Sequence, residues 1–188
     1  MFFMVTATRI HWLDEGLEVL ARAGIPGLRI DHLARALQVT KGSFYHHFVD
    51  LADYRRALLA YFEDRCTTRY IDANAALTTL APVDHLLALA DAVLADEASY
   101  RGLELQIRCW AAQDDDAHDT LARVDSRRLA YLNALAGNLI GDTERAADLA
   151  VTIYYLLIGS EHAVPAGSPA QLRRLWEQAL RSASGVEA

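Results

Sequence analysis

The segment from residue 30 to residue 48 constrains the fold of this chain more than any other part of its sequence. The first half of the segment places four apolar residues on one helical face: Ile30, Leu33, Ala34 and Leu37. Gln38 and Val39 then form a turn, and Thr40 stands where the N-cap of a second helix is expected. The segment therefore predicts two short helices that are joined by a tight turn.

The second of these helices has two sides of different character. Phe44 and Phe48 lie about one turn apart, so both side chains face the same way and are expected to be buried. The opposite side carries small or polar residues, namely Gly42, Ser43, Tyr45 and His46, with Lys41 just inside the helix start. A short helix with buried anchors and outward-facing donors near its N-terminus is suited to recognition of a DNA major groove.

These residues resemble the helix-turn-helix of TetR-type bacterial transcriptional repressors. The resemblance is most specific in residues 33–48, LARALQVTKGSFYHHF, and in their Val-Thr-Lys-Gly…Tyr…Phe pattern. A preceding helix that ends at Gly24 also fits the family's first helix, because its apolar residues share one face: Ile10, Leu13, Leu17 and Leu20. The resemblance covers roughly residues 6–60.

The resemblance implies an all-α fold with two domains. Residues 1–50 would form a three-helix, helix-turn-helix DNA-binding head. Residues 51–188 would form a larger helical body that binds an effector and dimerises, with the long helix from Leu51 as the lever between them. The remaining sequence agrees with this expectation, since it carries helical periodicity and no alternating pattern typical of strands.

The helix geometry and the resemblance together indicate which side chains contact DNA. The candidate DNA-binding residues are Arg29, Thr40, Lys41, Gly42, Ser43, Tyr45, His46 and His47. Ser43 and His46 are expected to read bases, and Tyr45 and His47 to donate hydrogen bonds to phosphates. Lys41 and the first amides of the helix are expected to hold a phosphate or a base edge.

Three positions depart from the usual pattern of the family. Gln38 stands in the turn where glycine is usual, and a left-handed conformation there costs about 1–2 kcal/mol relative to glycine. Leu51 replaces the lysine that usually anchors a phosphate at the start of the fourth helix, with Arg55 and Arg56 as candidate substitutes. Arg29 stands where a threonine cap is common.

The formal net charge of −7 is distributed unevenly along the chain. Residues 1–60 hold seven basic and six acidic side chains, whereas the remainder holds eleven basic and nineteen acidic ones. The near-neutral head also carries four of the seven histidines. This asymmetry is compatible with DNA binding by the head and argues against non-specific binding by the whole surface.

The sequence predicts a cytoplasmic protein without a membrane span. Its apolar start is too short for a signal peptide, and the apolar run from Leu149 to Ile158 is about half the length of a membrane-spanning helix. The chain has only two cysteines, Cys66 and Cys109, and they do not have metal-ligand spacing. So few cysteines indicate a reducing compartment without a framework of structural disulfides.

The apolar run from Leu149 to Ile158 also predicts dimerisation. A helix that is apolar nearly all round must be covered on every side, and the resemblance implies that the last two helices pair with their copies in a second subunit. The predicted interface is formed by Tyr154, Tyr155, Ile158, Leu172, Leu175, Trp176 and Leu180. The alternative is a central core helix within a monomer.

The resemblance further implies a pocket for a small-molecule effector in the body. Pockets in helical bodies combine apolar walls with a few convergent polar groups. The candidate ligand-binding residues are Tyr100, Gln106, Cys109, Trp110, Tyr131 and Tyr154. The alternative is that these aromatic residues are ordinary core.

Signatures of catalysis are weak, so we expect no catalytic residue, metal or cofactor. The sequence has no glycine-rich phosphate loop, Cys-x-x-Cys or nucleophile elbow. A di-metal centre needs paired Glu-x-x-His motifs, and the sequence contains only one imperfect match, Asp115-x-x-His118. The acidic run 114–116 is instead expected at the N-terminus of a helix.

The sequence therefore favours a homodimeric transcriptional regulator, a repressor that a small-molecule effector releases from a palindromic operator. Two alternatives remain at this stage. One is a helical-bundle enzyme or a metal or ligand carrier, and the other is a head that docks a protein rather than DNA.

Overall fold

The computed structural model describes residues 7–96 and 102–184, which form ten α-helices and no strand. The helices are α1 Arg9–Ala23, α2 Ile30–Ala36, α3 Lys41–His47, α4 Leu51–Glu63, α5 Arg69–Ala75, α6 Pro82–Asp96, α7 Leu103–Ala111, α8 Asp115–Ile140, α9 Thr143–His162 and α10 Pro169–Ser184. The predicted all-α fold is confirmed. Within these two ranges, no helix is both long enough and apolar enough to cross a membrane.

The chain divides into two compact units. Of the described residues, the first unit contains 7–64 and 102–121, and the second contains 65–96 and 122–184. The first unit thus includes α4 and α7, although the sequence analysis ended the head at residue 50. The physical reason lies in α4, whose residues Tyr54, Leu58 and Phe62 are buried in the first unit.

Helices α1 and α4 approach each other closely at Gly16. The hydroxyl of Tyr54 donates a hydrogen bond of 2.7 Å to the carbonyl oxygen of Trp12. Burial raises the pKa of Tyr54, so its hydroxyl stays protonated and remains a donor. A Cβ atom added at Gly16 would lie 2.0 Å from the hydroxyl oxygen of Tyr54 and 2.9 Å from Cδ1 of Leu58. Only a residue without a side chain fits here.

The helix ends of the first unit follow local sequence signals. Thr8 and His11 form a capping box at the start of α1, and Gly24 ends that helix at a φ of 63°. The carboxylate of Asp50 accepts a hydrogen bond of 2.8 Å from the backbone N–H of Asp53. Asp114 accepts from the N–H of Ala117 at 3.0 Å. The acidic run 114–116 was predicted at a helix N-terminus, and this placement is confirmed.

The core of the second unit is built from α6, α8, α9 and α10. Each of these helices contributes buried apolar residues, among them Leu86, Leu135, Ile153 and Trp176. Asp142 caps α9, because its carboxylate accepts hydrogen bonds from the N–H groups of the first turn. The long α9 is therefore held by its own chain on the side of Leu149 and Ile153.

We predict that Gly16→Ala destabilises the protein by about 1–3 kcal/mol, because the added methyl group must displace the Tyr54 hydroxyl. Gly137→Ala in α8 is a matched control, since no atom lies within 4 Å of an added Cβ there. That control should be neutral or more stable by about 0.5–1 kcal/mol. Urea unfolding followed by helical circular dichroism measures both, and equal stabilities of the two variants would contradict the close approach at Gly16.

Candidate nucleic-acid interface

Helix α3 has only seven residues and is held in place by aromatic packing. Phe44 is fully buried, and its ring centroid lies 5.3 Å from that of Trp12, 5.2 Å from that of Phe48 and 5.4 Å from that of Tyr54. A helix this short is not stable alone in water, so tertiary packing must supply its stability. The predicted burial of Phe44 and Phe48 is confirmed.

The other side of α3 is open to solvent. Lys41, Gly42, Tyr45 and His46 are exposed, whereas Ser43 is half-buried. The Tyr45 ring packs edge-on against Phe44, with 5.4 Å between the ring centroids, while 58% of the residue remains exposed. The structure therefore brings the predicted recognition residues together on one accessible side of a firmly anchored helix. Their contacts with DNA remain a prediction.

The turn before α3 contains a left-handed residue, and the N-cap that follows it makes no side-chain hydrogen bond. Gln38 adopts a φ of 55°, the left-handed conformation that costs less for glycine than for other residues. Thr40 is the N-cap of α3, but its side chain makes no capping hydrogen bond. The hydroxyl of this exposed residue therefore does not accept a hydrogen bond from the first N–H groups of α3, which is the usual role of a threonine N-cap.

Gly42 is not required by the packing of the first unit. A Cβ added there would have Thr40 Oγ1 as its nearest neighbour, at the ordinary contact distance of 3.5 Å. The backbone of Gly42 is helical and not left-handed. The absence of a side chain at this exposed position leaves room for close approach from outside.

Lys41 forms an ion pair that sequence reasoning missed. Its Nζ atom lies 2.6 Å from Oδ1 of Asp31 in α2, and the two side chains are 61% and 47% exposed. The hydrogen bond from Lys41 holds the pKa of Asp31 below its ordinary value, so the pair is ionised at neutral pH. The signal in the sequence was an acidic residue in the first turn of α2, ten positions before Lys41.

His47 is also engaged within the protein. Its Nε2 atom lies 2.8 Å from the carbonyl oxygen of Ala7, just before α1. A carbonyl oxygen can only accept, so Nε2 carries the proton and Nδ1 can donate only when the ring is an imidazolium. While this contact is kept, His47 can donate the predicted hydrogen bond to a phosphate only in its charged form.

Arginine residues lie in α1, in α4 and just before α2. The guanidinium carbon of Arg9 lies 5.2 Å from the centroid of the Phe48 ring, a cation–π distance. The side chain of Arg29 is exposed and does not cap α2. Arg56 is exposed, whereas Arg55 is half-buried, and its Nε atom has no hydrogen-bond partner within the described part of the chain. Arg9 was not among the residues predicted to contact DNA, although its position as a basic residue near the start of the first helix was visible in the sequence.

The predicted ligand-binding residues are spread over both units. Tyr100 lies outside the described residues, and the first unit holds Gln106, Cys109 and the buried Trp110. In the second unit the hydroxyl groups of Tyr131 and Tyr154 donate to Asn74 and Asp125, at 2.7 Å and 2.6 Å. Trp110 and Tyr154 therefore belong to the cores of their units.

The second unit contains a cavity of about 350 Å³ that sequence reasoning did not locate. Its lining residues are Ala75, Thr78, Leu80, Pro82, His85, Leu135 and Asn138. Nε2 of His85 lies 2.7 Å from the carbonyl oxygen of Asn74, whose side chain also accepts the hydrogen bond from Tyr131. Tyr131 thus connects to the cavity wall through Asn74. Among the described residues, no group of three or more His, Cys, Asp or Glu side chains is placed to hold a metal ion.

The residues of the predicted dimer interface differ in their exposure within the single chain. Four of its residues are buried within the chain itself, at 1–3% exposure: Tyr154, Leu172, Trp176 and Leu180. They are covered because α10 packs against α9 and α6 of the same chain. Tyr155 and Leu175 remain exposed at 66% and 39%, and Ile158 is half-buried. Of the seven residues in the predicted interface, only Tyr155, Ile158 and Leu175 are therefore accessible to solvent to a substantial extent.

The sequence of the first unit matches known regulators. The model of the TetR family, described as bacterial regulatory proteins, matches residues 13–51. The transcriptional regulator AcuR from Cereibacter sphaeroides is 37% identical over 71 residues. That region is 38% of this chain and 32% of AcuR, so it spans about a third of this curated relative.

The fold is also found in solved structures of regulators. A TetR transcriptional regulator from Legionella pneumophila superposes with a TM-score of 0.78 at 15% identity, over 94% of this chain and 98% of its own. A regulator from Saccharomonospora viridis, whose structure contains choline, gives a TM-score of 0.72 at 19% identity, over 90% and 93%. Residues 13–51 thus match the TetR family of bacterial regulatory proteins, and the chain shares the helical fold of these solved structures.

Proposed function

We propose that this chain is a cytoplasmic, homodimeric transcriptional repressor that binds a pseudo-palindromic operator through α3 and leaves it when a small-molecule effector binds. The observation that carries the proposal is the anchoring of α3. Phe44 is buried in the core of the first unit, while Tyr45 and His46 are directed to solvent from the region that matches the family. A rigidly held helix with an exposed polar side is what base recognition in a major groove requires.

The charge distribution supports a limited and specific contact with DNA. Residues 1–60 have one more basic than acidic side chain, whereas the rest of the chain is strongly acidic. DNA binding that is driven by charge alone needs many phosphate contacts, and this chain offers few. Recognition must therefore depend on base contacts by the side chains of α3 together with a small number of phosphate contacts.

The proposed roles of Tyr45 and His46 predict different effects of alanine substitution. Tyr45→Ala should weaken binding to all DNA sequences, because it removes a phosphate donor. His46→Ala should reduce discrimination at particular base pairs by about 1–3 kcal/mol. Both residues are exposed, so neither change should unfold the protein.

Gel-shift titrations with the chain's own upstream region, and with single-base variants of it, measure these effects. A uniform loss for Tyr45→Ala and a position-dependent loss for His46→Ala are the expected results. Failure of the unmodified protein to shift any duplex would remove the proposal and leave a head that docks another protein.

The exposed apolar residues of α9 and α10 support the proposed dimer. Val151 and Tyr155 are one helical turn apart on α9, and both are exposed, as is Leu175 on α10. Contact between these residues and their copies would cover them around a two-fold axis. Such a dimer would present its two recognition helices about 34–36 Å apart, the spacing of successive major grooves on one face of DNA.

We predict that Tyr155→Glu converts the dimer to a monomer, because it would bury an unpaired charge in the interface. Leu77→Glu is a matched control, since Leu77 is also an exposed apolar residue but lies after α5. Sedimentation velocity should give a dimer for the control and the unmodified protein. A monomer for the unmodified protein at micromolar concentration would contradict the proposed assembly.

The effector is proposed to bind in the second unit. The cavity at His85 has the volume of a small-ligand pocket and combines apolar walls with the polar residues Thr78 and Asn138. The choline complex of the Saccharomonospora viridis regulator is an example of a small ligand bound to this fold. An effector releases DNA only by its different affinity for the two states, and about 5.5 kcal/mol is needed to reverse an equilibrium of about 99:1.

A further inference from the structure

Lys41 is the only lysine of the chain, and it begins the helix that is proposed to read DNA. Its Nζ atom is already bonded to the carboxylate of Asp31, at 2.6 Å, although both side chains are open to solvent. The ammonium group at the start of α3 therefore has a built-in anionic partner. Any phosphate that binds Lys41 must replace that carboxylate or share the ammonium group with it.

The position of Asp31 makes this competition direct. Asp31 lies in the first turn of α2, which packs against α3 in the helix-turn-helix. Arg29, the residue before α2, and Arg35 within α2 also favour its ionised form, and the lowered pKa of its carboxyl keeps the charge present at neutral pH. A permanent negative charge thus stands beside the cation on the proposed DNA-facing side.

We propose that Asp31 is a specificity-determining residue, which competes with DNA phosphates for Lys41 and so suppresses binding to non-operator DNA. This inference rests on the proposed DNA-binding function. On DNA of arbitrary sequence α3 has no fixed position relative to the phosphates. The Lys41–Asp31 pair then stays closed, with the ammonium group of Lys41 bonded to the carboxylate of Asp31. A closed pair has no net charge, so it contributes little to the counterion release that drives non-specific binding.

The operator differs because base contacts fix the register of α3. Once Ser43 and His46 hold the helix against matching bases, one acceptor on the DNA is kept beside Lys41 in every bound complex. Lys41 can then exchange its partner, since the competing acceptor has a high local concentration. Asp31 therefore weakens both kinds of complex but weakens the non-specific kind more.

The test is the salt dependence of binding to a duplex of scrambled sequence, with the full chain and its Asp31→Asn variant. Removing the carboxylate frees one positive charge in each head. The slope of log affinity against log salt should then steepen by about 0.9 per head, which is a gain of about threefold for each fourfold fall in salt concentration. Affinity for an operator selected from a random library should rise less, so the ratio of operator to scrambled affinity falls.

Two further variants separate this effect from a general change in charge. Glu18→Gln changes the charge by the same amount on the exposed side of α1, and it should leave the salt slope nearly unchanged. In a Lys41→Gln background, Asp31→Asn should have no further effect on the slope, because the cation it releases is gone. Thermal melting checks that each variant is folded.

The outcomes distinguish this inference from the proposed function. If the unmodified chain binds an operator but Asp31→Asn behaves like Glu18→Gln, Asp31 is an ordinary surface residue and the inference is wrong. An equal effect of Asp31→Asn with and without Lys41 overturns it as well. If the unmodified chain binds neither duplex, the proposed function itself fails.

Discussion

The aromatic cluster of Trp12, Phe44, Phe48 and Tyr54 is the constraint on which the architecture of the first unit depends. Phe44 packs against the other three rings and fixes α3 against α1 and α4. The hydrogen bond from Tyr54 to Trp12 ties α4 to α1, and the bare backbone of Gly16 permits that approach. A seven-residue helix gains a fixed orientation only through such contacts, because its own hydrogen bonds are too few.

Because the buried side of α3 supplies its stability, the residues on its outer side are not needed for folding and can serve recognition. Tyr45 and His46 are exposed, and Gly42 has no close neighbour that would require a glycine. The polar contacts that do exist at the ends of α3 set limits on function. Lys41 is bonded to Asp31 and His47 to the carbonyl group of Ala7, so the two side chains have internal partners with which DNA must compete.

Local sequence signals were sufficient for the parts of the fold that depend on neighbours in the chain. The two helices around Gln38, the helix start in the acidic run 114–116, and the buried Phe44 follow from spacing and residue type. The ion pair of Lys41 with Asp31 could not be predicted in this way, because it depends on the angle between α2 and α3. For the same reason the periodicity of α10 indicated a buried face but not its partner. Leu172, Trp176 and Leu180 are covered by their own chain, and an apolar face alone does not distinguish that from coverage by a second subunit.

The proposed function requires that two copies of α3, each held by its aromatic cluster, read two half-sites of one operator. Hydroxyl-radical footprinting of the full chain on DNA selected from a random library measures whether they do. A dimer with two recognition helices should protect two symmetric segments whose centres are about one helical turn apart, on one face of the duplex. A single protected segment, or protection that does not depend on sequence, would contradict the proposed function.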